Sequence, residues 1–242
     1  MFDKNKIKLI AFDLDGTLTQ HKQPIEPEAK AVLERLYEKY SLVMAGAGLP
    51  DRIFNQIGRL PIDIVGNYGL RYAKYNHDKK DIEIVWDLTF PCDKEDIIKR
   101  ADIIRNKYGF TDFSGDSVEF HPSGCITIAL LGTDAKLQDK LAFDPDRSRR
   151  RAIYKEVCEL FSDYNVFVGG SSSFDMAPKP YNKYHALDIY CKEKGIAHSE
   201  VLFVGDDYGL GGNDESVYLS DMNFLCIDDY RTFPEIATNK LL

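Results

Sequence analysis

Two short apolar runs, each ending in an acidic turn, constrain this chain more than any other feature. Ile7-Lys8-Leu9-Ile10-Ala11-Phe12 leads into Asp13-Leu14-Asp15-Gly16-Thr17, and Val201-Leu202-Phe203-Val204 leads into Gly205-Asp206-Asp207, with Gly211-Gly212-Asn213-Asp214 close behind. A strand that is apolar at nearly every position is covered on both faces, as in the parallel sheets of α/β folds. Open sheets of that kind place ligand chemistry beyond the carboxyl ends of their strands. Either turn alone reads as a strand end with capping aspartates. Two of them predict acidic loops meeting at one sheet edge, where an oxygen-loving divalent cation relieves the repulsion.

The rest of the chain fits an α/β frame with an insertion. Pro27 to Lys39 carries Ala29, Val32, Leu33 and Leu36 at helical spacing, and Tyr40 to Ala45 reads as a second strand. A helix from Asp51 to Arg59 precedes a third strand, Ile62 to Val65, closed by Gly66-Asn67-Tyr68-Gly69. From about Tyr72 the pattern changes. Asp81 to Phe90 reads as extended, Lys94 to Lys107 as helix, and Val118 to Phe120 with Cys125 to Leu131 as strands. Arg149 to Phe161 is a further helix, and Tyr164 to Gly169 with Ser172 to Met176 another extended pair. The parallel style returns with a helix from Lys183 to Lys194, the strand at Val201 and a last strand, Phe224 to Ile227. The expected layout is a parallel α/β core of residues 1–82 and 183–242 around an inserted α+β segment, 83–182.

Composition excludes several roles. Acidic residues outnumber basic ones 39 to 31, so no general phosphate-neutralising surplus supports nucleic-acid binding. No apolar stretch approaches the ~20 residues of a membrane span, and the N-terminus turns polar before reaching signal-peptide length, so cytoplasm is the expectation. The five cysteines are scattered and form no CxxC pair, which argues for thiols rather than zinc ligands or disulfides. With 14 tyrosines, no single one of Tyr72, Tyr75, Tyr154, Tyr164 or Tyr181 earns a pocket assignment.

The first acidic turn suits phosphoryl transfer. A carboxylate there attacks phosphorus and forms an acyl phosphate once a cation screens the two anions, which makes Asp13 the candidate nucleophile. Asp15, two residues on, is placed to protonate the leaving oxygen and later to deprotonate the group attacking the intermediate. Gly16 permits the sharp turn and the Thr17 hydroxyl braces it.

Phe12-Asp13-Leu14-Asp15-Gly16-Thr17-Leu18-Thr19 resembles motif I of the haloacid dehalogenase (HAD) superfamily, most of whose members are Mg²⁺-dependent phosphotransferases that use an aspartyl phosphate. Together with Gln23-Pro24-Ile25, Val118-Glu119-Phe120, Gly169-Gly170, Ser173-Phe174-Asp175, Asn182-Lys183 and the Val201 strand with its acidic loop, the whole chain resembles eukaryotic-type phosphomannomutases and Cof-like capped phosphatases. The resemblance implies a Rossmann-like HAD core with an inserted cap that sets specificity, and a homodimer through that cap. It implies Asp13 and Asp15 as nucleophile and acid/base, and Lys183 as the cation that neutralises Asp13 and the incoming phosphate. A lysine at a helix start would otherwise read as solvated. It further implies a Mg²⁺ site of Asp13, Asp15 through its carbonyl, and Asp206, with Asp207, Asn213 and Asp214 around the ion or ordering the loop. Lys22, Ser173 and Asp175 would meet the substrate.

Two departures stand out. Motif II normally offers a Ser or Thr hydroxyl to the phosphoryl group. Met44-Ala45-Gly46-Ala47-Gly48 offers none, and Ala47 falls at the hydroxyl position, leaving the backbone N–H groups of Gly46 and Ala47 to face the phosphate. At the mutases' remote-phosphate arginines stand Lys22, His121, Thr133 and Lys140, which weakens any second-phosphate clamp. Arg147, Arg149, Arg150 and Arg151 read as a solvated helix face, with a shifted clamp as the alternative. The favoured reading is a Mg²⁺-dependent phosphohydrolase of a small phosphorylated metabolite, a sugar phosphate. A phosphomannomutase and a non-catalytic phosphosugar-binding protein are the rivals.

Overall fold

A computed structural model describes residues 2–242. In chain order the first stretch contains β1 (Leu9–Phe12), α1 (Pro27–Tyr37), β2 (Ser41–Ala45), α2 (Pro50–Gln56), β3 (Asp63–Gly66), β4 (Arg71–Asn76) and β5 (Asp81–Asp87). The middle stretch contains α3 (Lys94–Tyr108), β6 (Val118–Phe120), β7 (Ile126–Ala129), α4 (Leu137–Phe143), α5 (Ser148–Leu160), β8 (Tyr164–Phe167) and β9 (Ser173–Pro178). The last contains α6 (Lys183–Lys194), β10 (Val201–Gly205), α7 (Glu215–Tyr218), β11 (Asn223–Cys226) and α8 (Phe233–Leu241). The chain divides into two compact units. One holds the chain up to Asp87 with Asn182–Gly209 and Asp214–Leu242; the other holds Leu88–Tyr181 and Leu210–Asn213.

The first unit is built on a seven-stranded sheet of order β11-β10-β1-β2-β3-β4-β5. From β11 to β3 every pairing is parallel, and β4 and β5 add an antiparallel edge. Alternation along the strands supplies both faces. Ile10, Phe12, Leu42, Met44, Ile64, Leu202 and Val204 pack on one side against Val32, Leu33 and Leu36 of α1, Ile53 and Phe54 of α2, and Phe233 of α8. Leu9, Ala11, Val43, Ala45, Val201 and Phe203 pack on the other against Leu187, Tyr190 and Cys191 of α6. This is the parallel α/β architecture the apolar runs predict. The sequence pattern leaves β4 and α8 unassigned, and the expected boundary at residue 82 falls inside β5, which pairs with β4 from Asn76↔Asp81 to Arg71↔Asp87.

The second unit is a four-stranded antiparallel sheet of order β6-β7-β9-β8. Ile126, Ile128, Phe174, Met176 and Val166 form a core with Ile97, Ala101 and Ile104 of α3 and Ile153 and Val157 of α5. The intervening positions Thr127, Ser173 and Asp175 are only partly buried, as period-two strands with one covered face require. No disulfide links the cysteines. Among the described residues no helix is long and apolar enough to cross a membrane.

Arg150 overturns an expectation. Rather than lying on a solvated face, it is fully buried, with its Nε 2.8 Å from Asp144 Oδ2. Its Nη1 donates to the carbonyls of Gly169 at 2.5 Å and Ser173 at 2.9 Å. The residue is an internal staple for the β8–β9 turn. Burial opposes the charge on Asp144, but the Arg150 guanidinium and the N–H groups of Arg149 and Arg150 outweigh it and hold the carboxyl below its ordinary value. That contribution to stability is present above the ordinary carboxylate value and is lost as pH falls through the lower folded value. Asp144→Ala leaves a buried guanidinium without its counter-charge and is expected to cost about 3–5 kcal/mol. Urea unfolding followed at neutral and acid pH checks this: the native protein's midpoint should fall more steeply in acid than that of the variant.

Candidate active site

The loop after β1 is wound tightly enough to aim its side chains. The Asp13 N–H donates to Val204 O at 2.9 Å, continuing the β1–β10 ladder past the end of β1. Leu14 O then accepts from the N–H groups of Thr17, Leu18 and Thr19, and the Gly16 N–H donates to Thr19 O. Gly16 has φ +102, and a Cβ there would lie 2.5 Å from Asp206 Oδ2. Only glycine serves both the backbone angle and the approach of the second acidic loop.

Residues from three distant stretches of the chain converge at this edge. Lys183 opens α6, one residue after the N-cap Asn182, whose side chain accepts from the His185 N–H at 2.8 Å. Its buried Nζ lies 2.6 Å from both Asp13 Oδ1 and Asp214 Oδ1. Asp214 Oδ2 accepts from the N–H groups of Asp206 and Asp207 at 3.1 and 3.0 Å, which folds the second loop back onto the ammonium. The Thr17 hydroxyl lies 2.7 Å from Asp206 Oδ1 and 3.4 Å from Asp13 Oδ2, bracing the two loops together.

Charge is out of balance here. Asp13, Asp206 and Asp214 each present an oxygen within 4.8 Å of the others, with one ammonium among them. Burial and the charge of Asp13 push Asp206 up to about 8, against the Thr17 hydroxyl. Burial also raises Asp214, to about 6, although Lys183 opposes the rise. Burial disfavours the charged form of Lys183, but Asp13 and Asp214 overcome that and raise it. A hard divalent cation suits this donor set: oxygens only, in negative excess, with ligands whose protons it would displace. The carboxylates of Asp15 and Asp207 do not join the group among the described residues.

Asp15 points into a different set of contacts. Its Oδ1 accepts from Gln56 Nε2 and from the Lys22 N–H, each at 2.7 Å, and its Oδ2 pairs with Arg52 Nη1 at 3.0 Å. Burial works against its charge, yet Gln56, Lys22 and Arg52 outweigh it and hold the carboxyl below its ordinary value. Lys22 takes part through its backbone, in the left-handed region with φ +59. Arg52 and Gln56 escape sequence reading, which treats α2 as a connector. Their i, i+4 spacing at the helix after the motif II loop is the only signal. In that loop the Gly46 N–H donates to Val65 O at 3.1 Å, so it does not face a phosphate as expected. Among the described residues the Ala47 N–H has no protein partner.

In the second unit, Ser173 and Asp175 come together on the less covered face of the sheet. Thr127 Oγ1 lies 3.0 Å from Asp175 Oδ1 and 3.1 Å from His121 Nε2, and Ser173 Oγ donates to Gly169 O at 3.1 Å. Burial raises Asp175, with Thr127 and His121 only partly offsetting it. Lys140 Nζ is spent on Thr133 O at 2.8 Å.

Comparison with known proteins agrees with this geometry. A family model described as haloacid dehalogenase-like hydrolase matches residues 7–209. A phosphomannomutase of Triticum aestivum is 25% identical over 236 residues, covering 88% of this chain and 86% of that protein. The solved structure of an N-terminally truncated Plasmodium falciparum IMP-nucleotidase superposes with a TM-score of 0.68 at 14% identity, covering 99% of this chain and 72% of that one. A HAD subclass IIB sugar phosphatase superposes with a TM-score of 0.63 at 16% identity, covering 96% and 98%. The family match spans most of the chain and contains both Asp13 and Lys183, so this protein belongs to the haloacid dehalogenase-like hydrolase family.

Proposed function

We propose that the chain is a Mg²⁺-dependent phosphohydrolase of a small phosphorylated metabolite, a sugar phosphate, working through a phosphorylated Asp13. The observation that carries this reading is the buried Lys183 ammonium shared by Asp13 and Asp214, with Asp206 beside them. Asp13 Oδ2 attacks phosphorus while Lys183 holds Oδ1 and offsets the charge arriving with the monoester. Asp13, Asp206 and the Asp15 carbonyl would hold Mg²⁺, which when bound would supply charge neutralisation on the phosphoryl oxygens. Asp214 keeps Lys183 and the Asp206–Asp207 backbone in place. Asp15, held as the carboxylate by Gln56, Lys22 and Arg52, takes the proton that a monoester monoanion brings, passes it to the leaving alcohol and afterwards takes one from the water that attacks the aspartyl phosphate, leaving free phosphate and restored Asp13. The second unit, Leu88–Tyr181, acts as the cap, and Ser173 and Asp175 on its sheet face bind sugar hydroxyls.

A second reading, hexose-phosphate mutase action, is favoured by the curated relatives, which carry the name phosphomannomutase. Against it, Lys140 is engaged with Thr133 O and Arg150 is buried on Asp144. Both contacts weigh against a second-phosphate clamp at these two residues.

Three measurements test the proposal. Asp13→Asn is expected to lower phosphate release by at least about 10⁴-fold, the scale on which a lost nucleophile acts. With mannose 1-phosphate and Mg²⁺, with or without a hexose 1,6-bisphosphate, free phosphate should be the product; rapid isomer exchange with little phosphate would establish the mutase. The third is thermal. The stability that neutral Asp206 contributes is fully present below its ordinary value of 3.8 and is lost as pH rises toward its folded value of about 8. In chelator near pH 8, Asp206→Asn should therefore melt above the native protein, with the gap narrowing toward pH 4. Mg²⁺ should raise the native melting temperature and leave the variant's unchanged.

A further inference from the structure

The missing motif II hydroxyl leaves a question of what holds the phosphoryl group on the β2 side. The space at the neighbouring position, 48, is already filled. A Cβ on Gly48 would lie 2.2 Å from Arg52 Nη2 and 2.7 Å from its Cζ and Nε, so the guanidinium occupies the volume that a side chain at position 48 would take. The two edges of that guanidinium are used unequally. Nη1 is committed to Asp15 Oδ2 at 3.0 Å and to Gln56 Oε1 at 2.8 Å. Among the described residues, Nη2 and Nε have no protein acceptor, and the side chain is 39% exposed. Gln56 fixes the arrangement, because its amide also donates to Asp15 Oδ1 and to Thr19 Oγ1.

We infer that Arg52 does the work of the absent hydroxyl: its Nη2 edge takes a phosphoryl oxygen of the substrate while its Nη1 edge holds the Asp15 side chain toward the same site. This rests on the assignment of Asp13 as the nucleophile. A guanidinium presents parallel N–H donors that match phosphate geometry, and its charged bond is roughly twice as strong as one from a neutral hydroxyl. Arg52 is placed for this by the chain itself. It lies in the first turn of α2, directly after Gly46–Leu49, and the sheet sets β2 next to β1 with Phe12 paired to Met44. Gln56, one turn further on, acts as a positioning residue.

The geometry makes the test a double-substitution cycle. The three atoms nearest to a Cβ on Gly48 all belong to Arg52, and Gly48 does not have a left-handed φ, so the guanidinium is the first obstacle to a serine there. Kinetics are measured with p-nitrophenyl phosphate and Mg²⁺, with inorganic phosphate as the competing ligand. Arg52→Ala should raise KM and the inhibition constant for inorganic phosphate by about 10- to 100-fold, the scale of a bond to a charged group. Arg52→Lys, which keeps the charge and loses the fork, should fall between. Gly48→Ser alone should impair the enzyme, yet added to Arg52→Ala it should recover about tenfold in phosphate affinity, because the hydroxyl enters the vacated space. A residue that only supported the fold would show no such rescue. The inference is overturned if Arg52→Ala binds inorganic phosphate as the native protein does, or if the double variant is no better than Arg52→Ala. Asp13→Asn separates the two levels: if it still turns over, the nucleophile assignment has failed, whereas a dead Asp13→Asn beside an unaffected Arg52→Ala rejects the role of Arg52 alone.

Discussion

The buried ion cluster around Lys183 is what the rest of the first unit serves. A lysine ammonium with 1% side-chain exposure is tolerable only when carboxylates surround it. Asp13 and Asp214 do so at 2.6 Å, and each arrives from a different strand end. The interaction dictates the loops: Asp214 ties the backbone of Asp206 and Asp207 to the ammonium, and Gly16 yields the space into which Asp206 leans. Uneven charge is the chemical outcome, since two carboxylates compete for one cation and the third, Asp206, is left with a hydroxyl.

Two carboxylates two residues apart thereby acquire different surroundings. Asp13 faces the ammonium and the acidic pair, whereas Asp15 faces Gln56, Lys22 and Arg52. Such separation is how neighbouring groups of one chemical type take different tasks. The division follows from the tight turn after β1, which sends the Asp13 and Asp15 side chains into separate sets of partners.

Much of the fold was legible because its signals are local. The apolar runs of β1 and β10 and the helical stretch that begins at Lys183 announce themselves within a few residues, and the acidic turns after β1 and β10 give away the cluster's location. β4 was not legible, because Arg71–Asn76 sets its tyrosines three residues apart, without period-two alternation, and becomes a strand only through pairing with β3 and β5. Arg150 was misread for a related reason. In sequence it stands among other arginines, and its burial depends on Asp144 and on carbonyls some twenty residues away. Arg52 and Gln56 matter through Asp15, 37 and 41 residues earlier in the chain, a distance that no helical or strand periodicity spans.

The first unit is sewn from three stretches of chain, and the partners Asp13 and Lys183 are 170 positions apart. Closing so long a loop adds little to its entropic cost, which grows only as the logarithm of length, but it does set an order of events during synthesis. Until the ribosome has delivered α6 and the loop beyond β10, the emerging polypeptide holds Asp13 and Asp15 without the lysine or the second acidic loop that give them their setting. A product truncated ahead of α6 thus holds the first acidic turn without the ammonium and without the second acidic loop that surround it in the folded chain.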